Sequence, residues 1–295
     1  MSNYSELCPS DSELLGTGAG NCAKTLGADV RFFLTESTFT GTAAQLKLQT
    51  YWDAAIIAKT VVPFPMVTEI EPQDVEASYF ESASGETFKT KDEKRKTMFK
   101  FIENIIVHSG MKSYADRGWN IWYYTEKGYL RCHTKSEDLY EGLKASRFFV
   151  NAQATPTFSD PSHTPCIIEQ NQVNDWDLEF GVIKPDFDMR DLVAVNQAKG
   201  YSASSTQTTG TLTVNVKMTI KETNAALSGL VTANFVVTDE DGATVTLTSA
   251  AEAGTTGVYA LVATNPAVNG QFGLNGVITI GGVPYSSALA PYVTS

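Results

Sequence analysis

The residues that come closest to a chemical motif are GTGAGNCAKT, positions 16 to 25. From Gly18 they read G-x-x-x-x-A-K-T, close to a phosphate-binding loop, with Lys24 and Thr25 where the phosphate-binding lysine and the magnesium-binding hydroxyl would stand. Such a loop needs a buried strand before it and a helix after it. Here the preceding CPSDSELL is polar, and the following ADVRFFLTE is itself a strand pattern. We therefore predict a flexible glycine-rich arm instead of a nucleotide site.

A dinucleotide-binding turn is excluded for a similar reason. Gly16, Gly18 and Gly20 are spaced G-x-G-x-G, and Asn21 occupies the position that requires the third glycine.

Hydrolytic chemistry has one local candidate, the loop SDPSHTPC with Asp160, Ser162 and His163. Three polar residues in a proline-rich segment are more typical of a turn than of a catalytic triad, and the sequence has no G-x-S-x-G elbow. In DWDLEFGVI, Asp175, Asp177 and Glu179 share one face of a strand. Three equivalent carboxylates favour a solvated surface over general acid–base catalysis, which needs carboxyl groups in different environments. The sequence predicts no enzyme.

Metal and cofactor binding are not expected either. The four cysteines (Cys8, Cys22, Cys132 and Cys166) include no C-x2-C pair, and the chain holds only three histidines. The adjacent pair Cys132-His133 would point to opposite faces of a strand. Neither DFDMRD (186–191) nor DEDG (239–242) fits a calcium loop, and the second is typical of a hairpin turn centred on Asp241-Gly242.

The composition is that of an ordinary globular protein with an acidic balance. The chain has 295 residues, 42% of them hydrophobic, and a formal net charge of -11. An acidic surface repels nucleic acid, so general DNA or RNA binding is excluded. The first residues lack a signal-peptide pattern, and no stretch is long and apolar enough for a membrane span. The sequence therefore predicts a protein that is made in the cytoplasm and has no membrane partner.

The composition changes near residue 200, which predicts two domains. Every Trp, Cys and His lies before this point, whereas residues 210–295 are rich in Thr, Ala, Val and Gly. The Ser/Thr/Gly-rich stretch between them predicts a linker. The expected organisation is an arm at 1–28, a β domain at 29–197, a linker at 198–209 and a second β domain at 210–295.

Periodicity predicts a mainly β protein. In the first domain, strand 29–35 precedes one helix in TAAQLKLQTYWDAAIIAKT, capped by Thr42, and a long hairpin spans 67–107 with its turn at Ser84-Gly85. Further strands follow, so we expect a β-sandwich or barrel with one flanking helix. The second domain opens with TLTVNVKMTIK, which alternates apolar and polar residues, and its short strands indicate an Ig-like β-sandwich. The G-V-Y at 257–259 resembles a signature found before a core strand of bacterial and phage Ig-like domains.

Taken together, these segments resemble the major tail (tail-tube) proteins of tailed bacteriophages. The resemblance lies in the glycine-rich arm, VRFFLTE, QTYWDAAIIAKTVVPFP, the hairpin ending in FKFIENIIV, DWDLEFGVIKPDFDMRDL and the appended Ig-like module. It implies a structural virion protein, assembled in the host cytoplasm, that forms stacked, hexameric rings around a channel for DNA. Its partners would be copies of itself, other tail or capsid proteins and, through the Ig-like domain, host cell-surface glycans.

The resemblance also suggests roles for two sets of residues. The arm with Gly16, Gly18, Gly20, Asn21 and Lys24 would bridge successive rings. The carboxylates Asp175, Asp177 and Glu179 would face the channel, where DNA passes without specific binding.

Three alternatives remain open at this point. They are a capsid decoration protein, a ring protein of a short tail, and a glycan-binding surface adhesin.

Overall fold

The computed structural model describes residues 26–84, 86–91, 93–170, 180–208, 210–221, 223–264 and 269–293. The protein is mainly β, with 51% strand and 11% helix, as the sequence predicts. It divides into two compact units between Leu192 and Val193.

The first unit contains fourteen strands and three helices in its described residues. The strands are β1 (Asp29–Thr35), β2 (Thr40–Gly41), β3 (Val61–Pro63), β4 (Glu69–Pro72), β5 (Ser78–Glu81), β6 (Thr87–Lys91), β7 (Arg95–Phe101), β8 (Asn120–Thr125), β9 (Leu130–Ser136), β10 (Leu139–Glu141), β11 (Leu143–Lys144), β12 (Arg147–Val150), β13 (Thr164–Gln170) and β14 (Phe180–Ile183). The helices are α1 (Ala43–Leu46), α2 (Gln49–Ile57) and α3 (Ile105–Lys112).

Two sheets of this unit enclose an aromatic core. The larger sheet has the order β2-β10-β9-β8-β1-β3, with β11 also paired to β8 and β14 to β9, and the smaller has the order β12-β13-β7-β4. The centroid of the Phe32 ring on β1 lies 4.8 Å from the ring centroid of Phe64. The corresponding distances are 5.2 Å to Phe99 on β7 and 6.3 Å to Phe148 on β12. Aromatic side chains from the facing sheets therefore hold the sandwich together.

The opposite face of the larger sheet is covered by α1 and α2. Trp52 on α2 is fully buried there, and its ring lies 5.5 Å from Phe33 on β1 and 5.6 Å from Trp122 on β8. This explains why every residue of β8 is buried. A central strand that is packed on both faces has a mostly apolar sequence without the alternation of apolar and polar residues.

The number of helices differs from the prediction. The segment that the sequence predicts to be one helix forms two helices, α1 and α2, because Leu48 has an extended backbone and interrupts it. Thr42 caps the start of α1, as predicted. The third helix, α3, replaces the expected end of the hairpin strand. The Asn104 side chain accepts hydrogen bonds from the Ile106 and Val107 amides and starts this helix, although its β-branched residues favour strand.

The second unit is a two-sheet β-sandwich. Its strands are β15 (Asn196–Thr208), β16 (Thr211–Ile220), β17 (Phe235–Asp239), β18 (Thr244–Val245), β19 (Leu247–Glu252), β20 (Val258–Thr264), β21 (Asn269–Leu274), β22 (Ile278–Ile280), β23 (Val283–Ser287) and β24 (Ala290–Val293). The sheet orders are β19-β20-β16-β15-β23-β22 and β18-β17-β21-β24. As the alternation in β16 predicts, Leu212, Val214, Val216 and Met218 are buried in the core.

The linker expected at 198–209 is wrong. Residues 196–208 form β15, which pairs with β16 from Ala198↔Ile220 to Thr208↔Thr211 and belongs to the second unit. The residues of this strand are mostly polar and many of them are exposed, so its sequence shows no apolar alternation. Its stability comes from the long backbone ladder with β16.

The G-V-Y segment lies at the start of a core strand, with Val258 and Tyr259 already part of β20. Tyr259 is fully buried on β20, its hydroxyl donates to the Leu227 carbonyl at 2.8 Å, and it accepts from the Leu230 amide at 3.2 Å. The Glu252 carboxylate accepts hydrogen bonds from the Gly229 amide at 2.9 Å and the Gly257 amide at 3.0 Å. Two side chains thus tie the loop at 227–230 to the central strand.

Candidate assembly surface

The outer half of the long hairpin is exposed along both of its strands. Its root is β4 paired with β7, from Glu69↔Lys100 to Pro72↔Thr97, and the bridge Val75↔Lys94 continues the ladder. Beyond it, β5 and β6 pair only with each other among the described strands. Every residue of these two strands is exposed.

The outer hairpin carries aromatic side chains that its own unit does not cover. Tyr79, Phe80 and Phe88 are 63%, 59% and 53% exposed, and Phe80 lies opposite Phe88 across the two strands. A two-stranded hairpin without a core is only marginally stable in water, and exposed edges with apolar side chains are normally covered by a partner. This outer hairpin is therefore a surface suited to assembly.

A cleft lies at the root of the same hairpin. It has a volume of about 560 Å³ and is lined by Thr68, Glu69, Lys100, Ile102, Thr155, Thr157, Asp160, Pro161 and His163. The Lys100 ammonium lies 3.0 Å from the Glu69 carboxylate and 3.5 Å from that of Glu71, and the pKa of Lys100 is raised by its hydrogen bond to Glu69. One lysine thus faces two carboxylates, and Asp160 adds a further acidic group.

One exposed apolar residue, Ile102, lines this cleft. Ile105 and Ile106 at the start of α3 and Phe158 in the loop at 155–163 are also exposed, and they are close in sequence to lining residues. The Gln153 side chain donates to the Glu103 carbonyl at 2.9 Å and holds this loop against the start of α3. An apolar surface with a charged rim is the usual composition of a protein-binding site.

The segment DFDMRD, considered above for calcium, has a structural role. Asp188 starts the 3-10 helix Met189–Asp191 by accepting from the Arg190 amide. The buried Arg31 guanidinium donates to the carbonyls of Phe64 at 2.7 Å, Met189 at 3.0 Å and Arg190 at 2.8 Å. Burial lowers the pKa of Arg31 to about 10, while Asp188 and Asp191 oppose that shift. This arginine fixes the segment against β1.

A partly buried ion pair lies at the start of β1. The Arg131 guanidinium donates to the Asp29 carboxylate, whose second oxygen is buried without a hydrogen-bond partner among the described residues. Burial raises the pKa of Asp29 to about 6, against the attraction of Arg131. The carboxylate is therefore charged at neutral pH at a cost in folding free energy.

We expect the first unit to become more stable as the pH falls from 7 to 5. The folded-state pKa of Asp29 is about 6 and its ordinary value is 3.8, so this stabilisation is complete below 3.8 and is lost as the pH rises through 6. The contribution between pH 7 and pH 5 is about 1 kcal/mol. Urea unfolding followed by tryptophan fluorescence measures it, since every Trp lies in the first unit. Asp29→Asn should remove this component, and an unchanged pH dependence in that variant would contradict the assignment.

The polar residues considered for catalysis do not form a connected set. Ser162 donates to the Ala154 carbonyl at 2.9 Å, and His163 Nδ1 lies 3.4 Å from the Pro161 carbonyl. Within the described residues no hydrogen bond joins these two side chains. The Thr157 amide donates a hydrogen bond to the Asp160 carbonyl at 2.9 Å, which closes a turn between the two residues. The loop is a set of turns that forms one wall of the cleft.

The cysteines, His133 and the DEDG segment also have structural surroundings. Cys132 and Cys166 are buried free thiols whose pKa values are raised by burial. His133 Nδ1 lies 3.2 Å from the Glu141 carboxylate. In DEDG, the Asp239 carboxylate accepts from the amides of Asp241 at 3.1 Å and Ala243 at 2.7 Å, which confirms the predicted turn.

Two predicted sets lie outside the described residues. They are the arm residues Gly16, Gly18, Gly20, Asn21 and Lys24, and the acidic stripe of Asp175, Asp177 and Glu179. Their proposed roles stay predictions.

Sequence reasoning found the hairpin but missed the cleft. The cleft combines residues near 69, 100 and 160, which only the sheet brings together. The alternation of aromatic and charged residues in SYFE and TFKTK was a usable signal for the exposed aromatic pair.

In the described ranges no three His, Cys, Asp or Glu residues are grouped as a metal site would need, and no helix could cross a bilayer. Comparison with protein-family models finds no match, and comparison with curated proteins finds no significant relative.

Proposed function

We propose that this chain is a structural protein that assembles with copies of itself into stacked rings. We propose further that the assembly is the tail tube of a tailed bacteriophage, a channel for DNA within the virion. The observation that carries self-assembly is the outer hairpin Ser78–Lys91, with its exposed Phe80–Phe88 pair. The resemblance described above supplies the identity of the assembly.

The composition of the surface agrees with this role. A chain with a net charge of -11 repels DNA, so DNA can pass through a channel of such subunits without being held. Polar side chains such as Asp239, Asp188 and Asp29 form a turn, a helix start and an ion pair. In this proposal the second unit is a module on the outside of the virion, where weak contacts with glycans would gain from many copies.

The hairpin can be tested by removing its aromatic pair. We expect Phe80→Ser/Phe88→Ser to fold normally, because both side chains are exposed, and to lose assembly, because the contact loses its apolar surface. Sedimentation velocity at a series of concentrations should show at least a tenfold weaker association than for the wild-type chain.

The matched control is Leu48→Ser/Ile57→Ser, which removes two exposed apolar residues elsewhere on the same unit. This control should associate like the wild-type chain. Equal association of the hairpin variant and the control would contradict the role given to the hairpin. Closed trimers or pentamers without stacking would favour a decoration protein.

A further inference from the structure

The second unit contains both Asn-Gly pairs of the sequence, Asn269-Gly270 and Asn275-Gly276. Such a pair can lose the asparagine amide without an enzyme, because the backbone nitrogen of the glycine can attack the side-chain carbonyl carbon. Glycine hinders this attack least, since it has no Cβ. The attack also requires that the peptide nitrogen can turn toward the side chain. The surroundings of the two pairs differ in this respect.

The first pair is held inside a sheet. Asn269 and Gly270 are the first residues of β21. Gly270 lies opposite Asp239 on β17 and Tyr292 on β24. The Asn269 side-chain oxygen is buried, and a Cβ added to Gly270 would collide with the Thr238 carbonyl oxygen. Attack by the Gly270 nitrogen therefore requires β21 to separate from its neighbours, which is a costly opening of the sandwich.

The second pair lies in an exposed turn. Asn275 and Gly276 stand between β21 and β22, and both are exposed. The Gly276 amide donates to the Leu274 carbonyl at 3.0 Å, a bond within three residues that can open without disturbing a strand. A Cβ added to Gly276 would meet nothing within 4 Å, so the space beside this residue is open. The Gly276 nitrogen can therefore reach the Asn275 side chain by a local movement of the turn.

We propose that Asn275 is a site of spontaneous deamidation in the folded chain and that the sheet protects Asn269. The Gly276 nitrogen forms a bond to Asn275 Cγ and loses its proton, the Cγ–Nδ2 bond breaks, and the side-chain nitrogen leaves as ammonia. Water then opens the cyclic imide at either carbonyl group and gives aspartate or isoaspartate. The reaction consumes only water. This inference does not depend on the proposed assembly.

Deamidation changes a connection between the two sheets of the second unit. The turn joins β21 of the four-stranded sheet to β22 of the six-stranded sheet. The Asn275 backbone amide donates to the Asn234 carbonyl at 2.9 Å, and its side chain donates to the Ala233 carbonyl at 3.4 Å. Aspartate replaces this side-chain donor with a carboxylate, and isoaspartate adds a methylene group to the backbone of the turn. We therefore expect the modified turn to hold the sheets less firmly.

Peptide mapping of the full chain by mass spectrometry tests this proposal. The folded chain is incubated in mildly alkaline buffer and then digested with pepsin at low pH, which stops the reaction. Cleavage beside Phe272 separates the two asparagines into different peptides. We expect Asn275 to be converted at least tenfold faster than Asn269. In guanidinium chloride the two rates should agree within about threefold, because the unfolded chain exposes both pairs.

Asn275→Gln is the matched variant, because glutamine must close a larger ring and reacts far more slowly. The residue is exposed, so the circular dichroism spectrum should stay that of the folded chain, and the peptide that contains position 275 should stay unmodified. Equal conversion of Asn269 and Asn275 in the folded chain would overturn the inference. So would an intact Asn275 after the time in which the unfolded chain is converted, or the same modification of this peptide in Asn275→Gln.

Discussion

Trp52→Ala is expected to destabilise the first unit by about 3–5 kcal/mol. Trp52 is fully buried between α2 and the larger sheet, and its indole donates to the Leu46 carbonyl at 2.9 Å. Its ring contacts Phe33 at 5.5 Å and Trp122 at 5.6 Å, the second in an edge-to-face arrangement. Alanine would leave a cavity beneath the helix layer and remove the contact that fixes α2 to the sheet.

Urea unfolding followed by the fluorescence of the remaining tryptophans measures this effect. The control is Ile57→Ala, an exposed position on the same helix, for which we expect a change within about 0.5 kcal/mol. If both variants unfold at the same urea concentration, the packing described for Trp52 is wrong.

Gly257→Ala is expected to destabilise the second unit by about 2–4 kcal/mol. Gly257 has φ of +68°, and an added Cβ would lie 2.6 Å from the Met218 carbonyl oxygen and 3.1 Å from the Leu227 amide nitrogen. These are backbone atoms of the strand and loop that Tyr259 and Glu252 hold together. Relief of the clash would therefore shift β20 against β16 or break those hydrogen bonds.

Gly276→Ala separates the two causes of this cost. Gly276 also has a positive φ, +76°, but an added Cβ would meet nothing within 4 Å. It should therefore show only the backbone cost of about 1–2 kcal/mol. Hydrogen exchange with mass spectrometry resolves β16 and β20 from the first unit and gives the free energy of opening for each. Equal losses in the two variants would contradict the close packing around Gly257.

Local patterns in the sequence predict those elements whose stability has a local cause. The alternation of TLTVNVKMTIK identifies β16 and its buried face, and VRFFLTE identifies β1. Thr42 marks the start of α1, and Asp241-Gly242 marks a turn. In each case the side chains that set the conformation are neighbours in the chain.

Elements stabilised by distant residues could not be predicted in this way. Residues 198–208 are polar and lack periodicity, but the ladder with β16 makes them a strand. Ile105, Ile106 and Val107 favour strand, but the Asn104 cap and the packing of Met111 against the core place them in a helix. The cleft depends on three separated segments, so its existence follows only from the fold.

The central claim is that copies of this chain build a stacked, hollow assembly. The measurement that tests it most directly is electron microscopy of the purified full-length chain, imaged at concentrations where light scattering reports association. We predict hollow tubes or stacked rings from the wild-type chain and their loss in Phe80→Ser/Phe88→Ser. A compact monomer at every concentration would contradict the claim.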